Sequence, residues 1–182
     1  MRRGRVWTSV TSNFSHMSMF HLGANMYLLN RFGPDVADVL GAHRFYIFYG
    51  TSGIASSLAS LTFRRVTKSN VLSLGASGAV VSVLWLYACF FPDRRMSFFG
   101  TDKTLTMQEL VIAYTVIDAA GLLGSLGKID FAAHLGGAFF ANFWFYLLRD
   151  KLVREQAAGR RSKSGHLFQN ILKADGGHSK HD

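Results

Sequence analysis

Residues 131–148 read FAAHLGGAFFANFWFYLL, and this stretch decides the class of the chain. It contains no charged residue. Its aromatic side chains fall on every side of a helix instead of along one stripe: Phe131, Phe139, Phe140, Phe143, Trp144, Phe145 and Tyr146. A helix without a polar face has to be surrounded by lipid or completely buried. Because the stretch approaches the roughly 20 residues that cross a bilayer, it predicts a membrane-spanning helix.

Other apolar stretches precede this one, and the composition agrees with a membrane protein. The 182-residue chain is 49% hydrophobic and only 17% charged, and its mean hydropathy is positive. The expected fold class is an all-α polytopic membrane protein, with a soluble helical bundle as the alternative. We predict five spanning helices, near residues 17–32, 45–63, 75–91, 107–125 and 131–148.

The chain is expected to form one membrane domain over residues 1–150, followed by a flexible basic tail over residues 151–182. The formal net charge of +9 comes largely from this tail and the N-terminus, and a basic tail suits anionic lipid headgroups. Nucleic-acid binding is not expected, because Phe168 is the only aromatic residue in the tail. Cys89 is the only cysteine, which excludes a disulfide framework and a thiolate metal cluster.

Polar residues lie near the start of alternate predicted spans. His21 and Asn25 are near the start of the first, Ser77 is at the start of the third, and His134 is near the start of the fifth. Because consecutive spans run in opposite directions, these three starts lie on one side of the membrane. Polar groups inside a bilayer are costly and normally face the bundle interior or a water-filled cavity. The topology therefore predicts one polar site.

Ser77 is a candidate nucleophile, because it lies between Gly75 and Gly78 at a predicted helix start. The glycines allow another backbone to approach, and the amide groups of a helix N-terminus favour developing negative charge. A packing role is the alternative, since most serines in membrane helices pack or bond to their own backbone. We interpret the serines of the second span as packing residues: Ser52, Ser56, Ser57 and Ser60.

His134 is a candidate general base, because an imidazole is the usual partner that activates a serine. Gly137 and Ala141 follow at intervals of about one turn, so this helix can press closely against another. A buried packing histidine is the alternative. His21 and Asn25 are four residues apart and share a helix face, where both can donate hydrogen bonds to an oxyanion.

His16 is expected to be a structural or interfacial residue at the membrane edge. A metal site built from His16, His21 and His134 is disfavoured, because no carboxylate lies on the same turns as these histidines.

Three motifs occur in a fixed order on three alternate spans. They are His16-x4-His21-x3-Asn25, then Gly75-Ala76-Ser77-Gly78, then Ala133-His134-Leu135-Gly136-Gly137. Together these motifs resemble the rhomboid intramembrane serine proteases. The flanking residues are most similar to the mitochondrial branch of that family, and the resemblance covers roughly residues 12–148.

The resemblance implies a reaction and a role for each site residue. Ser77 is the expected nucleophile and His134 the expected base, in a dyad without a third acid. His21, Asn25 and the backbone amide of Ser77 are expected to hold the oxyanion. The reaction is peptide hydrolysis in the transmembrane segment of a protein substrate, without a metal or organic cofactor. The implied location is the mitochondrial inner membrane.

The resemblance also implies that the domain is truncated at its N-terminus. The rhomboid core has six spans, and the first of them has no counterpart in this sequence. The alternative function is therefore a truncated or non-catalytic rhomboid-like protein that binds transmembrane helices without cutting them.

Two carboxylates in the apolar region have open roles. A presenilin-type aspartyl protease is disfavoured, because the sequence around Asp130 lacks the Gly-x-Gly-Asp signature of that family. Asp130 lies one turn before His134, so it either modulates the imidazole or is an interfacial carboxylate near Lys128. Asp118 is expected in a buried hydrogen-bond network.

Overall fold

The computed structural model describes residues 18–68, 76–97, 104–124 and 129–158. His16, Gly75 and residues 159–182 of the predicted tail lie outside these described residues. The interpretations of His16, Gly75 and that part of the tail therefore stay predictions.

Five helices and one short hairpin make up the described part of the chain. Each helix overlaps one of the five predicted spans, and the helical fold class is confirmed at this level. A two-stranded antiparallel hairpin lies between the third and fourth helices, with β1 at Arg95–Ser97 and β2 at Thr104–Thr106. The helices are α1 (Met19–Leu40), α2 (Ala42–Thr67), α3 (Ser77–Phe90), α4 (Met107–Leu123) and α5 (Phe131–Ala157).

The short helix α3 lies at the centre of the bundle and contacts each of the other four helices. Most of its residues are buried, because small and apolar side chains cover all of its faces. The Tyr87 ring packs against Phe32 of α1, with 4.8 Å between ring centroids. On another side, Phe90 packs against Phe145 of α5 at 5.6 Å. Helices α1 and α5 thus hold the C-terminal end of α3 from two sides.

The outward faces of the surrounding helices carry large apolar side chains. Examples are Ile54 on α2, Val116 and Ile117 on α4, and Phe139 on α5, all of them exposed. Extended apolar surfaces of this kind indicate contact with lipid or with another protein. In the described part of the chain, one helix, Phe131–Glu155, is long and apolar enough to cross a bilayer, and Ser77–Phe90 is a shorter apolar helix.

Helix α1 is longer than the predicted span. The predicted span ends at residue 32, close to the end of the charge-free run at Asn30. The helix instead continues through Pro34 to Leu40 and ends at Gly41, whose φ of 81° is in the region that favours glycine. The charged residues near its end interrupt the apolar run but leave the helix intact.

An ion pair joins the start of α2 to the end of α5. Arg44 donates two hydrogen bonds to the Glu155 carboxylate, at 2.9 and 2.8 Å. These hydrogen bonds raise the pKa of the Arg44 guanidinium above its ordinary value. The pair shows that α5 continues as an ordered helix beyond residue 150, into the first residues of the segment predicted to be a tail.

Candidate active site

Ser77 and His134 are in direct hydrogen-bond contact. Ser77 is the first residue of α3, and His134 lies in the first turn of α5. The Ser77 Oγ atom is 3.0 Å from His134 Nε2. His134 as a residue is only 6% exposed, whereas Ser77 is half-buried. The starts of the third and fifth helices therefore meet at these two side chains, as the alternating helix directions predict.

Glycines let α3 and α5 come close enough for this contact. A Cβ atom added to Gly137 would overlap the carbonyl oxygen of Gly78. A Cβ atom added to Gly78 would lie 3.2 Å from the carbonyl oxygen of Ala133. The Ser82 hydroxyl shares its hydrogen between the carbonyl oxygens of Gly78 and Gly137, at 2.9 and 3.0 Å. The predicted small-residue face of the last helix is confirmed, and it brings the imidazole to the serine.

The serines of α2 lie at buried positions, as their packing interpretation predicts. A Cβ atom added to Gly136 of α5 would overlap the side chain of Ala59, which shows how closely α2 approaches α5. Gly50 of α2 does not take part in this close packing, because it is exposed and a Cβ atom added there would have no neighbour within 4 Å. The buried serines are Ser52, Ser56, Ser57 and Ser60.

The other ring nitrogen of His134 faces α4. Its Nδ1 atom is 3.1 Å from Asp118 Oδ1 and 3.3 Å from the Tyr114 hydroxyl. Asp118 is 3% exposed, so its carboxylate lies inside the bundle. The two α4 residues are four apart and therefore share one helix face. The expected buried network at Asp118 is confirmed, and it includes the imidazole.

Asp130 makes its side-chain hydrogen bonds to α2 and to the first turn of α5. Its Oδ2 atom accepts a 2.6 Å hydrogen bond from the Ser60 hydroxyl, and its Oδ1 atom accepts one from the Ala133 amide at 3.1 Å. The carboxylate therefore caps the first turn of α5 and ties it to α2. Neither of these hydrogen bonds reaches the His134 imidazole, which contacts Asp118 instead. Both roles considered for Asp130 stay predictions.

His21 and Asn25 lie in the first two turns of α1, a helix that packs against α3. Asn25 is 4% exposed, and its Nδ2 atom donates a 2.9 Å hydrogen bond to the carbonyl oxygen of His21. The Ser18 hydroxyl accepts a hydrogen bond from the His21 amide at 3.1 Å, which caps the helix. These contacts lie within α1, so the oxyanion role of both residues stays a prediction.

The contact at Ser77 can activate a hydroxyl. When Nε2 is unprotonated, it accepts the hydrogen of the Ser77 hydroxyl and increases the negative charge on Oγ. The first-turn amide groups of α3 have no partners within the helix, so they can donate to a developing anion next to Ser77. Across residues 18–68, 76–97, 104–124 and 129–158, no group of three His, Cys, Asp or Glu side chains is arranged to hold a metal ion.

The contact of Asp118 and Tyr114 with His134 was not assigned from the sequence. The signal for it was weak: two polar side chains four residues apart in a mostly apolar helix. The neighbouring residues did not show which face of α4 points into the bundle. Apolar residues also cover the face opposite to Tyr114 and Asp118, where Ile112 and Val116 are exposed.

Comparisons with known proteins identify relatives of this chain. A sequence model of the Rhomboid domain matches residues 3–151. The chain is 34% identical to Rhomboid protein 1, mitochondrial, of Saccharomyces cerevisiae, over 87% of this chain and 46% of the yeast protein. It is 35% identical to the presenilin-associated rhomboid-like protein, mitochondrial, of Bos taurus, over 78% of this chain and 38% of that protein.

A bacterial protein named as a protease is also similar. Rhomboid protease GluP of Bacillus subtilis is 30% identical, over 76% of this chain and 26% of its own length. The chain spans less than half the length of each of these three relatives. No solved structure matches the chain.

The domain match covers most of the sequence, including Ser77 and His134, and the yeast and bovine relatives are both named mitochondrial. The chain belongs to the rhomboid family, and it is an integral membrane protein of mitochondria.

Proposed function

We propose that this chain is an intramembrane serine endopeptidase of the mitochondrial inner membrane, with Ser77 as nucleophile and His134 as general base. The observation that carries the proposal is the 3.0 Å contact between Ser77 Oγ and His134 Nε2. Membership of a family that includes a protein named as a protease supports it. The five helices are proposed to span the membrane, and the exposed apolar side chains of α2, α4 and α5 support that arrangement.

In the first half of the reaction, Ser77 Oγ attacks the carbonyl carbon of a peptide bond while its hydrogen passes to His134 Nε2. An Oγ–C bond forms, and the electron pair of the C=O double bond moves to the oxygen. When this tetrahedral intermediate collapses, the C–N bond breaks and the proton on Nε2 passes to the leaving amine. The enzyme is left with an ester at Ser77.

In the second half, water replaces the amine. His134 Nε2 takes one proton from the water as its oxygen attacks the ester carbon, and the proton then passes to Ser77 Oγ as the C–Oγ bond breaks. The products are a free carboxylic acid and the original serine. The reaction consumes one water and requires no redox partner.

Attack on the peptide bond and attack of water on the ester each form a tetrahedral intermediate with a negatively charged oxygen. This oxyanion is proposed to lie at the N-terminus of α3. The Ser77 amide, the Asn25 side chain and the His21 side chain are the proposed donors. Asn25 supports this role because it is buried in a helix that packs on α3, and its amide nitrogen has a second hydrogen besides the one bonded to His21. Removal of one such donor in other serine proteases lowers turnover by about 10²–10³-fold.

The proposed substrate is a transmembrane segment of another protein. Ser77 is half-buried at the end of a helix surrounded by four others, so only a locally extended chain can present a peptide carbonyl to it. A helix has to unwind to do this, and helix-destabilising residues such as glycine lower the cost of unwinding.

The test is cleavage of a dye- and quencher-labelled transmembrane peptide that contains a central glycine, with the full chain reconstituted in phospholipid vesicles. We expect Ser77→Ala to lower the cleavage rate by at least about 10³-fold. The matched control is Ser97→Ala, because Ser97 is an exposed serine of β1 outside the site. It is expected to keep the wild-type rate.

Equal cleavage by the wild type and Ser77→Ala would overturn the assignment of the nucleophile. If both proteins retain the labelled peptide to the same extent without cutting it, the chain is instead a non-catalytic rhomboid-like protein that binds transmembrane helices.

A further inference from the structure

We propose that Asp118 is a positioning residue for His134, so that the site is a Ser–His–Asp triad instead of a two-residue dyad. Tyr114 is proposed to support the same orientation. This inference rests on the proposed function, in which His134 is the general base.

The position of Asp118 is the first argument. Its Oδ1 atom is 3.1 Å from His134 Nδ1, on the side of the ring opposite to Ser77. The Asp118 side chain is 4% exposed and that of His134 is 8% exposed. A buried carboxylate without a partner is costly, and the imidazole is the partner that the structure provides.

The hydrogen-bonding capacity of the ring is the second argument. A neutral imidazole carries one N–H hydrogen, and the partner of each nitrogen decides where it resides. A carboxylate can only accept, so Asp118 places the hydrogen on Nδ1. Nε2 then has a free lone pair directed at the Ser77 hydroxyl, which is the form that a general base requires.

Charge is the third argument. After His134 takes the proton from Ser77, both ring nitrogens carry hydrogens and the ring is positive. The imidazolium is then buried among α3, α4 and α5, where water provides little compensation. A carboxylate 3.1 Å away stabilises this cation, so Asp118 lowers the energy of the state that follows proton transfer.

Tyr114 fixes the ring from the same helix face. Its hydroxyl is 3.3 Å from Nδ1, longer than the Asp118 contact, and its ring centroid is 5.8 Å from that of the imidazole. The shorter and charged contact to Asp118 takes the main share of the Nδ1 hydrogen. Tyr114 limits the rotation of the imidazole, which keeps Nε2 directed at Ser77.

The activity test compares Asp118→Asn with the wild type in the vesicle assay. Asparagine keeps the shape of aspartate but removes its charge, and it can also donate to Nδ1, which selects the wrong tautomer. We expect kcat to fall by about 10²–10⁴-fold while KM changes little. The matched control is Asp130→Asn, because Asp130 contacts Ser60 and Ala133 but not the imidazole. It is expected to keep kcat within about threefold, as a substitution outside the proton-transfer path.

A second measurement does not depend on activity. The chain is labelled with ¹⁵N-histidine in detergent micelles, and the signals of His134 are assigned by their loss in His134→Gln. We expect the wild type to show a protonated Nδ1 and an unprotonated Nε2. In Asp118→Asn, a measurable fraction of the rings is expected to carry the hydrogen on Nε2 instead.

The outcomes separate the two proposals. If the wild type cuts the peptide through Ser77 but Asp118→Asn keeps both the kcat and the tautomer of the wild type, the role of Asp118 is overturned and the proposed function stands. If the wild type does not cut the peptide, the proposed function fails, and a wild-type ring protonated on Nε2 would overturn the positioning role as well. If Asp118→Asn does not fold, the tautomer of the wild type still decides between the two arrangements.

Discussion

Ser82 joins the two helices of the site one turn beyond the contact between Ser77 and His134. Its hydroxyl is fully buried and is shared between the carbonyl oxygens of Gly78 and Gly137. No other hydroxyl of α3 bridges the two backbones in the described part of the chain. The residue therefore stabilises the approach of α3 to α5 without touching the imidazole.

Ser82→Ala is expected to lower the free energy of unfolding by about 1 kcal/mol, the usual net worth of one hydrogen bond. The measurement is SDS titration of the protein in mixed micelles, followed by circular dichroism. The exposed Ser97→Ala serves as the control. An unchanged transition in Ser82→Ala would show that the shared hydrogen bond adds nothing to stability.

Single residues differ in how well the sequence predicts their contacts. Ser77 and His134 were identifiable because each is a rare polar group in an apolar stretch near the start of an alternate helix. For the carboxylates, spacing left two roles open for Asp130, which lies one turn from His134 in sequence. In the structure Asp130 precedes α5 and caps it, whereas Asp118 reaches the ring from another helix. A contact between helices depends on their rotation, which an apolar pattern on all faces does not reveal.

At the scale of helices, the packing of α3 on α5 sets the distance between serine and histidine. Gly137 lies against the carbonyl oxygen of Gly78, and Gly136 lies against Ala59 of α2. Helix association in membranes depends on close packing at such small residues, because apolar side chains gain no hydrophobic free energy when they leave lipid for another helix.

Gly137→Ala is expected to force α3 and α5 apart, because the new Cβ atom would overlap the Gly78 carbonyl oxygen. The free energy of unfolding should fall by about 1–3 kcal/mol, and cleavage should fall with it as Ser77 moves away from His134. SDS titration and the vesicle assay measure the two effects.

Gly50→Ala is the matched control, because Gly50 is also a glycine within a helix but has open space where a Cβ atom would lie. Alanine there should be neutral or stabilise the protein by up to about 1 kcal/mol, through its higher helix propensity. Equal effects of the two substitutions would contradict the proposed role of close helix packing.

The helices themselves were largely predictable, because each long apolar stretch forms one. The C-terminal ends of α1 and α5 were not, whereas α4 and α5 begin at the predicted residues. The predicted span for α1 ends at residue 32, but the helix passes Pro34 and ends where Gly41 adopts a positive φ. At its C-terminal end α5 continues into a basic segment, where Arg44 of α2 pairs with Glu155. Charged residues end the apolar stretch that can cross a membrane. The helix itself can continue past them, as α1 does to Gly41 and α5 does to Ala157.

At the scale of the whole molecule, a central apolar helix is surrounded by helices whose outer faces are also apolar. This arrangement suits lipid as solvent, and it agrees with membership of the rhomboid family. The surrounding helices position the start of α3, so the Ser77 hydroxyl is held by the bundle and not by a loop. The chain spans less than half the length of the yeast and bovine relatives, so its activity has to be tested on the chain itself.

The most direct measurement is covalent labelling of the full chain in vesicles with a fluorophosphonate, a reagent that reacts with activated serines and needs no knowledge of the substrate. Mass spectrometry of the digested protein locates the labelled residue. We predict labelling at Ser77 in the wild type and a loss of about 10³-fold or more in the labelling rate of His134→Ala, because the imidazole activates the hydroxyl. Labelling of Ser77 at the same rate in both proteins, or no labelling of Ser77 in a folded wild type, would contradict the account.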